Sequence, residues 1–110
     1  MPTVAVIGSR SFSNKELLSK TLGTFKVTKI ISGGAKGADS LAEEYAKKND
    51  IPIEIILPNW SLGRRAGMLR NTTIIERCDF VIAFWDGESK GTADSIKKAK
   101  KMGKKVEVIS

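Results

Sequence analysis

Histidine is absent from this 110-residue chain, and cysteine occurs once, at Cys78. The first absence removes imidazole as a metal ligand, as an acid or base near neutral pH, and as the activator of a serine or cysteine nucleophile. The second removes intrachain disulfides and thiolate metal clusters. Any catalysis must therefore run on carboxylates, hydroxyls, lysine, arginine or backbone amides, and no metal site is expected. Cys78 stands just before an apolar run and reads as a small buried filler rather than a reactive thiol. Long apolar runs are missing too, none approaching the ~20 residues that a membrane helix needs. The N-terminus passes directly into Thr3-Val4-Ala5-Val6-Ile7, without the pattern of a secretory signal. A cytoplasmic protein with no membrane partner is the expectation.

What is present fits one compact domain over residues 1–110, with 41% hydrophobic and 28% charged residues. The net charge of +7 favours anionic partners, and much of it comes from Lys97, Lys98, Lys100, Lys101, Lys104 and Lys105. Ile96, Ala99 and Met102 fall three apart and can face a core, which leaves these lysines on the solvated side of a last helix and its turn. A nucleic-acid contact through Lys97, Lys98, Lys100 and Lys101 stays open beside that reading.

Apolar β-branched runs alternate with helix-like stretches throughout, the mark of an α/β protein with a parallel sheet. Strands are predicted near 3–7, 27–32, 51–57, 79–85 and 104–109, and helices near 14–23, 37–49, 65–77 and 90–102. Ser13 and Glu16 have the spacing of a capping box, with Leu17, Leu18 and Leu22 as the apolar face behind it. In the second helix Leu41, Ala42, Tyr45 and Ala46 form a stripe, while Glu43/Lys47 and Glu44/Lys48 have ion-pair spacing on the other side. Gly103 is placed to stop the last helix. Val4 to Ile7 and Phe80 to Phe84 are continuously apolar, as central strands require, whereas Glu54 and Glu107 mark edge strands and Pro52 prefers an edge. With right-handed crossovers the expected architecture is a three-layer sandwich with helices on both faces of a five-stranded parallel sheet, ordered 3-2-1-4-5. The switch point then lies between the first and fourth strands, and ligands of such sheets bind beyond the strands' carboxyl ends.

Three loops should converge there: Gly8-Ser9-Arg10, the turn Gly33-Gly34-Ala35-Lys36-Gly37, and Trp85 to Thr92. Each is rich in glycine or hydroxyl groups and carries a cation, which suits a phosphorylated small molecule. Ser32-Gly33-Gly34-Ala35-Lys36-Gly37 approaches the dinucleotide fingerprint, but serine replaces its first glycine and it follows the second strand, which argues against a nicotinamide enzyme. The Walker A spacing is missing, and a tight turn without a ligand is the plain alternative. Arg70 can fork onto a phosphate or carboxylate, and Asn71 can read a base or sugar hydroxyl. Trp60 and Trp85 offer indole faces for stacking or for packing. Asp39 either bonds a ribose hydroxyl or caps its helix.

Gly8-Ser9-Arg10, Ser32-Gly33-Gly34-Ala35-x-Gly37-Ala38-Asp39-x-Leu41-Ala42, Pro58-x-Trp60, Ala66-Gly67-x-x-Arg70-Asn71 and Ala83-Phe84-Trp85-Asp86-Gly87-x-Ser89-x-Gly91-Thr92 together resemble the YspA-like branch of the SLOG superfamily, over nearly the whole chain. The resemblance implies a Rossmann-like sheet that binds nucleotides or nucleotide-derived ligands. Relatives include the Smf/DprA DNA-processing proteins and the LOG phosphoribohydrolases. The latter cut the N-glycosidic bond of a nucleoside 5′-monophosphate with an arginine and a glutamate in P-G-G-x-G-T-x-x-E. Their arginine is similar in placement to Arg70 and their G-T to Gly91-Thr92, but the glutamate position falls on Ser95. Asp94 is one residue off and points about 100° away around a helix. Serine without a neighbouring base is a poor substitute in glycosidic chemistry, so LOG-type hydrolysis is disfavoured.

The resulting expectation is a sensor or sequestering module for a nucleotide derivative such as ADP-ribose or a nucleoside phosphate. Its ligand residues would be Gly8, Ser9, Arg10, Gly33, Gly34, Ala35, Gly37, Asp39, Arg70, Asn71, Trp85, Gly91 and Thr92. One alternative is a nucleotide-processing hydrolase with Arg70 as anion clamp and Asp39, Asp86, Glu88 or Asp94 as acid/base groups. Another is single-strand nucleic-acid binding. A homodimer is implied only by analogy with LOG proteins.

Overall fold

Alternate residues of a strand point to opposite faces of its sheet, and in this chain both faces are apolar. The computed structural model describes residues 3–34 and 36–109. Its strands are β1 (Thr3–Gly8), β2 (Lys29–Ser32), β3 (Ile53–Ile55), β4 (Phe80–Phe84) and β5 (Lys105–Ile109). They alternate with helices α1 (Lys15–Thr24), α2 (Ala38–Lys48), α3 (Ala66–Arg77) and α4 (Lys90–Lys101). The sheet runs β3-β2-β1-β4-β5 with every pair parallel, the order expected from the strand compositions.

Val4, Val6, Ile30, Ile82 and Phe84 cover one face and pack with Leu18 and Leu22 of α1 and Ala38, Ala42 and Ala46 of α2. Ala5, Ile7, Ile31, Val81 and Ala83 cover the other and pack with Ile74 and Ile75 of α3, Ile96 and Ala99 of α4, and Cys78. Fully burying one such aliphatic side chain stabilises by about 1.5–3 kcal/mol, so two continuous cores fix the three layers. The edge strands carry the charges: Glu54 of β3 is held by Arg77 at 2.8 Å and by Lys29 at 3.4 Å.

Several local expectations are corrected. Asn14, not Ser13, caps α1, its Oδ1 accepting from the Leu17 amide at 3.0 Å; both residue types suit the position, and the helix begins one residue later than the capping box implies. β2 starts at Lys29 rather than 27, and Val27 is buried against the α1/α2 core from the preceding loop. β3 spans three residues rather than the predicted 51–57, and a 3-10 segment over Trp60–Arg65, kinked at Gly63, precedes α3. Glu44 pairs with Lys15 of α1, so that carboxylate ties two helices together instead of a single turn. Gly103 does end α4, with φ at 77°. Its amide reaches the Lys100 carbonyl at 3.1 Å and the Lys104 amide reaches that of Ala99 at 2.9 Å, the paired bonds of a Schellman turn. That turn carries Met102 away from the core; it is 40% exposed, whereas Ile96 and Ala99 are buried as expected.

Candidate functional site

Glycine ends β1 because α2 starts directly above it. A Cβ on Gly8 would lie 2.6 Å from the Ala38 Cβ and 2.6 Å from the Phe84 carbonyl oxygen. Gly37, immediately before α2, has φ at 80°, and a Cβ there would lie 2.3 Å from the Ser9 carbonyl oxygen. These two close approaches bring the first turn of α2 against the loop after β1. Beside them, at the carboxyl ends of the strands, opens a cleft of about 500 Å³.

Ile7, Gly8, Ser9, Arg10 and Ser11 form one side of it, with Gly33 and Asp39 next to them. Arg70, Asn71 and Ile74 come from α3, and Asp86, Ser89, Gly91, Thr92 and Ser95 from the β4–α4 connection and the start of α4. Arg70 is anchored at two points: Nη1 donates to the Gly33 carbonyl at 2.7 Å and Nε to Asn71 Oδ1 at 2.8 Å. Burial draws the guanidinium below its ordinary pKa, Asp39 opposes that shift, and Arg10 adds to it. It stays cationic, since arginine does not deprotonate in proteins. Asp39 is itself buried, at 8% exposure. The bond from Arg70 occupies Asn71 Oδ1 and leaves the amide N–H2 as donor for a ligand.

The opposite wall is shaped by Asp86. Its Oδ1 accepts from the Glu88 amide at 2.8 Å and the Ser89 amide at 2.9 Å, and the Asp86 amide donates to Ser9 Oγ at 3.2 Å. The Ser89 and Glu88 amides hold the Asp86 carboxyl below its ordinary pKa, against a small opposing effect of burial. Ser89 caps α4, its Oγ accepting from the Thr92 amide and lying 3.1 Å from the Thr92 hydroxyl. The first turns of α2 and α4 therefore both open toward the cleft, each with the positive end of its dipole.

Of the residues expected to bind ligand, Gly8, Ser9, Arg10, Gly33, Asp39, Arg70, Asn71, Gly91 and Thr92 line this cleft. Gly34, Gly37 and Trp85 do not. Gly34 turns toward Ile55 and Leu57, and Gly37 backs onto the Ser9 and Arg10 carbonyls. Trp85 packs on the α3/α4 core and donates Nε1 to the Ser89 carbonyl at 3.0 Å, so its indole acts as a strut for the loop. Ala35 lies outside the described residues. Trp60 is 68% exposed and apart from the cleft. Among the acid/base candidates, Asp94 pairs with Lys98 at 3.0 Å and neither it nor Glu88 lines the cleft. Ser11, Ser89, Ser95, Ile7 and Ile74 were not singled out as ligand residues. Helical spacing held the signal for two of them, since Ile74 and Ser95 follow Asn71 and Thr92 by one turn. Among the described residues, no three His, Cys, Asp or Glu side chains gather as a metal ion would require.

Residues 2–63 match the model of the family described as "YspA, cpYpsA-related SLOG family". Gene 61 protein of Mycobacterium phage D29 is 32% identical over 81 residues, covering 67% of this chain and 65% of its own. DNA processing protein A (DprA) from Streptococcus pneumoniae superposes with a TM-score of 0.84 at 23% identity, over 100% of this chain and 50% of that one. DprA from Helicobacter pylori, whose structure is described for its single-stranded DNA binding mode, gives 0.75 at 23% identity, over 98% of this chain and 65% of that one. The chain thus spans half to two thirds of the length of these proteins. The family match covers the β1 and β2 loops, whereas Arg70 and the α4 wall lie beyond it.

Proposed function

Since this chain belongs to the YspA, cpYpsA-related SLOG family, we propose that its cleft binds a nucleotide or nucleotide-derived small molecule, as a sensor or sequestering module. ADP-ribose and nucleoside phosphates are the classes that suit it. The observation that carries this reading is the convergence of Arg10, Arg70 and two helix N-termini on one cleft of about 500 Å³. That volume lies in the range of small-molecule sites, and charge-assisted donors at a helix N-terminus are the common recognition of phosphate.

The same cleft is poorly equipped for hydrolysis. Asp39 is buried against Arg70, Asp86 Oδ1 is occupied by two amides, and Ser95 is 3% exposed with no carboxylate in its place. Holding a ligand needs none of these groups to ionise or relay a proton. Single-stranded DNA, named for the Helicobacter pylori structure, gives a second class of ligand.

Calorimetry and amide NMR with AMP, ADP and ADP-ribose test the reading. At least one compound should bind below millimolar concentration and shift the Arg10, Gly33 and Thr92 amides. Removal of a charged donor costs about 1.5–3 kcal/mol, so Arg70→Ala should weaken binding about ten- to a hundredfold. A panel without a binder, or an Arg70→Ala variant with unchanged affinity, overturns it.

A further inference from the structure

Hydroxyls inside helices often bond the turn behind them, and this chain follows the habit. Thr21, Thr24, Thr72 and Thr73 each donate to the carbonyl four residues back, at 2.7 to 3.1 Å. Ser95 of α4 does not. It is buried, at 3% exposure, yet its hydroxyl makes no hydrogen bond among the described residues. No fully enclosed side-chain oxygen among those residues lacks a partner, so the Ser95 hydroxyl reaches the open space of the cleft that it lines. An unpaired hydroxyl in an apolar setting is costly, and a partner for it can enter only from the cleft.

Depth in the cleft follows from chain direction. β1 runs toward the open edge, while α3 and α4 run away from it. Ile7 therefore lies below Gly8, Ile74 one turn below Arg70 and Asn71, and Ser95 one turn below Thr92. The two isoleucines belong to one core cluster with Ile96, the neighbour of Ser95 in sequence. The floor is thus two apolar side chains and one hydroxyl. The charged lining residues Arg10, Asp39, Arg70 and Asp86 all come from loops or from helix turns above it. Arg10 stands close enough to Arg70 to lower its pKa, and two cations held near each other in one cleft mark the place of an anion.

Resting on the reading of the cleft as a nucleotide site, we propose that Ser95 sets its specificity: the base enters first, its polar edge bonded to the Ser95 hydroxyl and its faces against Ile7 and Ile74, while the phosphate stays near Arg10 and Arg70. A base has apolar faces and a polar edge, which two isoleucines and one hydroxyl match. A ribose brings several hydroxyls to a floor with one polar side chain, and those left over would be buried unpaired. A phosphate matches least, because the floor holds no cation. Since a hydroxyl both donates and accepts, Ser95 requires a heterocycle without choosing among bases. Sugar phosphates that carry no base are excluded.

The test titrates the parent protein and Ser95→Ala with AMP, ADP and ADP-ribose, which share adenine, and with the fragments adenosine and ribose 5-phosphate. Loss of one neutral hydrogen bond should weaken the nucleotides and adenosine about three- to tenfold. The urea midpoint should hold or rise, because alanine removes an unpaired hydroxyl and is the better helix former; a merely structural serine would lower it. Arg10→Ala should show the complementary pattern, weakening the same nucleotide about tenfold and adenosine less than about twofold. In methyl NMR the ring current of the base should shift the Ile7 and Ile74 δ1 methyls with the nucleotide and with adenosine, and ribose 5-phosphate should leave them in place. If no nucleotide binds, the reading of the cleft falls and this inference falls with it. With a nucleotide bound, four results overturn this inference alone: unchanged affinity in Ser95→Ala; a urea midpoint that falls along with affinity; isoleucine methyls that the nucleotide leaves unmoved; or the same methyls moved by ribose 5-phosphate.

Discussion

Replacing Gly33 by alanine probes the hold on Arg70 without removing a charge. The new Cβ would lie 2.5 Å from Arg70 Nη1 and 2.9 Å from Cζ. Gly33 is not among the residues with positive φ, so alanine brings no left-handed strain there. The obstacle is the far end of a flexible side chain, so the guanidinium should swing away and give up its 2.7 Å bond to the Gly33 carbonyl. A hydrogen bond from a charged donor contributes about 1.5–3 kcal/mol, and water reaching this half-exposed group offsets part of that. Alanine also restricts the unfolded chain, which returns about 0.4–1 kcal/mol. The net loss should be about 1 kcal/mol. With an m-value near ~1.5 kcal/mol/M this lowers the urea midpoint by about 0.7 M, read from tryptophan fluorescence. Nucleotide affinity should fall about tenfold as Arg70 leaves its place, a change of about 1.4 kcal/mol. In an Arg70→Ala background Gly33→Ala should cost under about 0.5 kcal/mol, because the guanidinium is gone and the next atom, Asp39 Oδ2, lies at 3.1 Å from the Cβ, where a small shift of the carboxylate relieves it. Gly67→Ala serves as control: nothing lies within 4 Å of a Cβ there, and a helical Gly→Ala change stabilises by about 0.5–1 kcal/mol. Equal cost in both backgrounds would place the clash elsewhere and refute the reasoning.

Two titrations carry opposite signs. Asp86 has a depressed folded pKa, so its contribution to stability is complete above the unfolded value near ~3.9 and lost as pH falls through the folded value. Asp86→Asn keeps an acceptor for the Glu88 and Ser89 amides and should flatten the acid limb of the urea midpoint against pH; an acid limb parallel to the parent's would refute the assignment. Burial pushes the Cys78 thiol up, with Lys104 opposing, so stability is intact below the unfolded value near ~8.5 and declines as pH rises toward the folded one. Cys78→Ala should remove that alkaline decline, and a native thiol that reacts with Ellman's reagent faster than the protein unfolds would contradict the burial.

Sheet order could be read from residues because strand position governs which charges are tolerable. Val4 to Ile7 and Phe80 to Phe84 admit none, while Glu54 and Glu107 have room at the edges. The location of the cleft followed from that order. Its lining followed only in part, because neighbouring backbone positions face opposite ways. Gly33 meets Arg70 while Gly34 meets Leu57, and nothing in Gly33-Gly34 itself distinguishes them. Trp85 was legible as a loop aromatic, but its partner is the carbonyl of Ser89, four residues on, brought within reach by the turn that Asp86 imposes rather than by any pattern in the residue types. Met102 failed for a related reason: periodicity continues past Ala99, whereas the Gly103 turn ends the helix face one residue too early to bury it.

The charges at the two ends of the sheet share one physical origin. Parallel strands with right-handed crossovers force every covering helix to run the same way, so four N-termini gather at the cleft edge and four C-termini at the other. The cleft edge offers helix-start amides and positive dipole ends, which favour a ligand phosphate without many cations, and there Arg10 and Arg70 stand. The far edge offers the reverse, negative dipole ends that attract lysines in the last turns of α2 and α4 and Arg77 in that of α3. Charge removal at that edge should therefore cost stability through the last-turn residues Lys100 and Lys101, about 0.3–1 kcal/mol each, read as a lower urea midpoint for Lys100→Gln and Lys101→Gln; an unchanged midpoint in both would refute the dipole account.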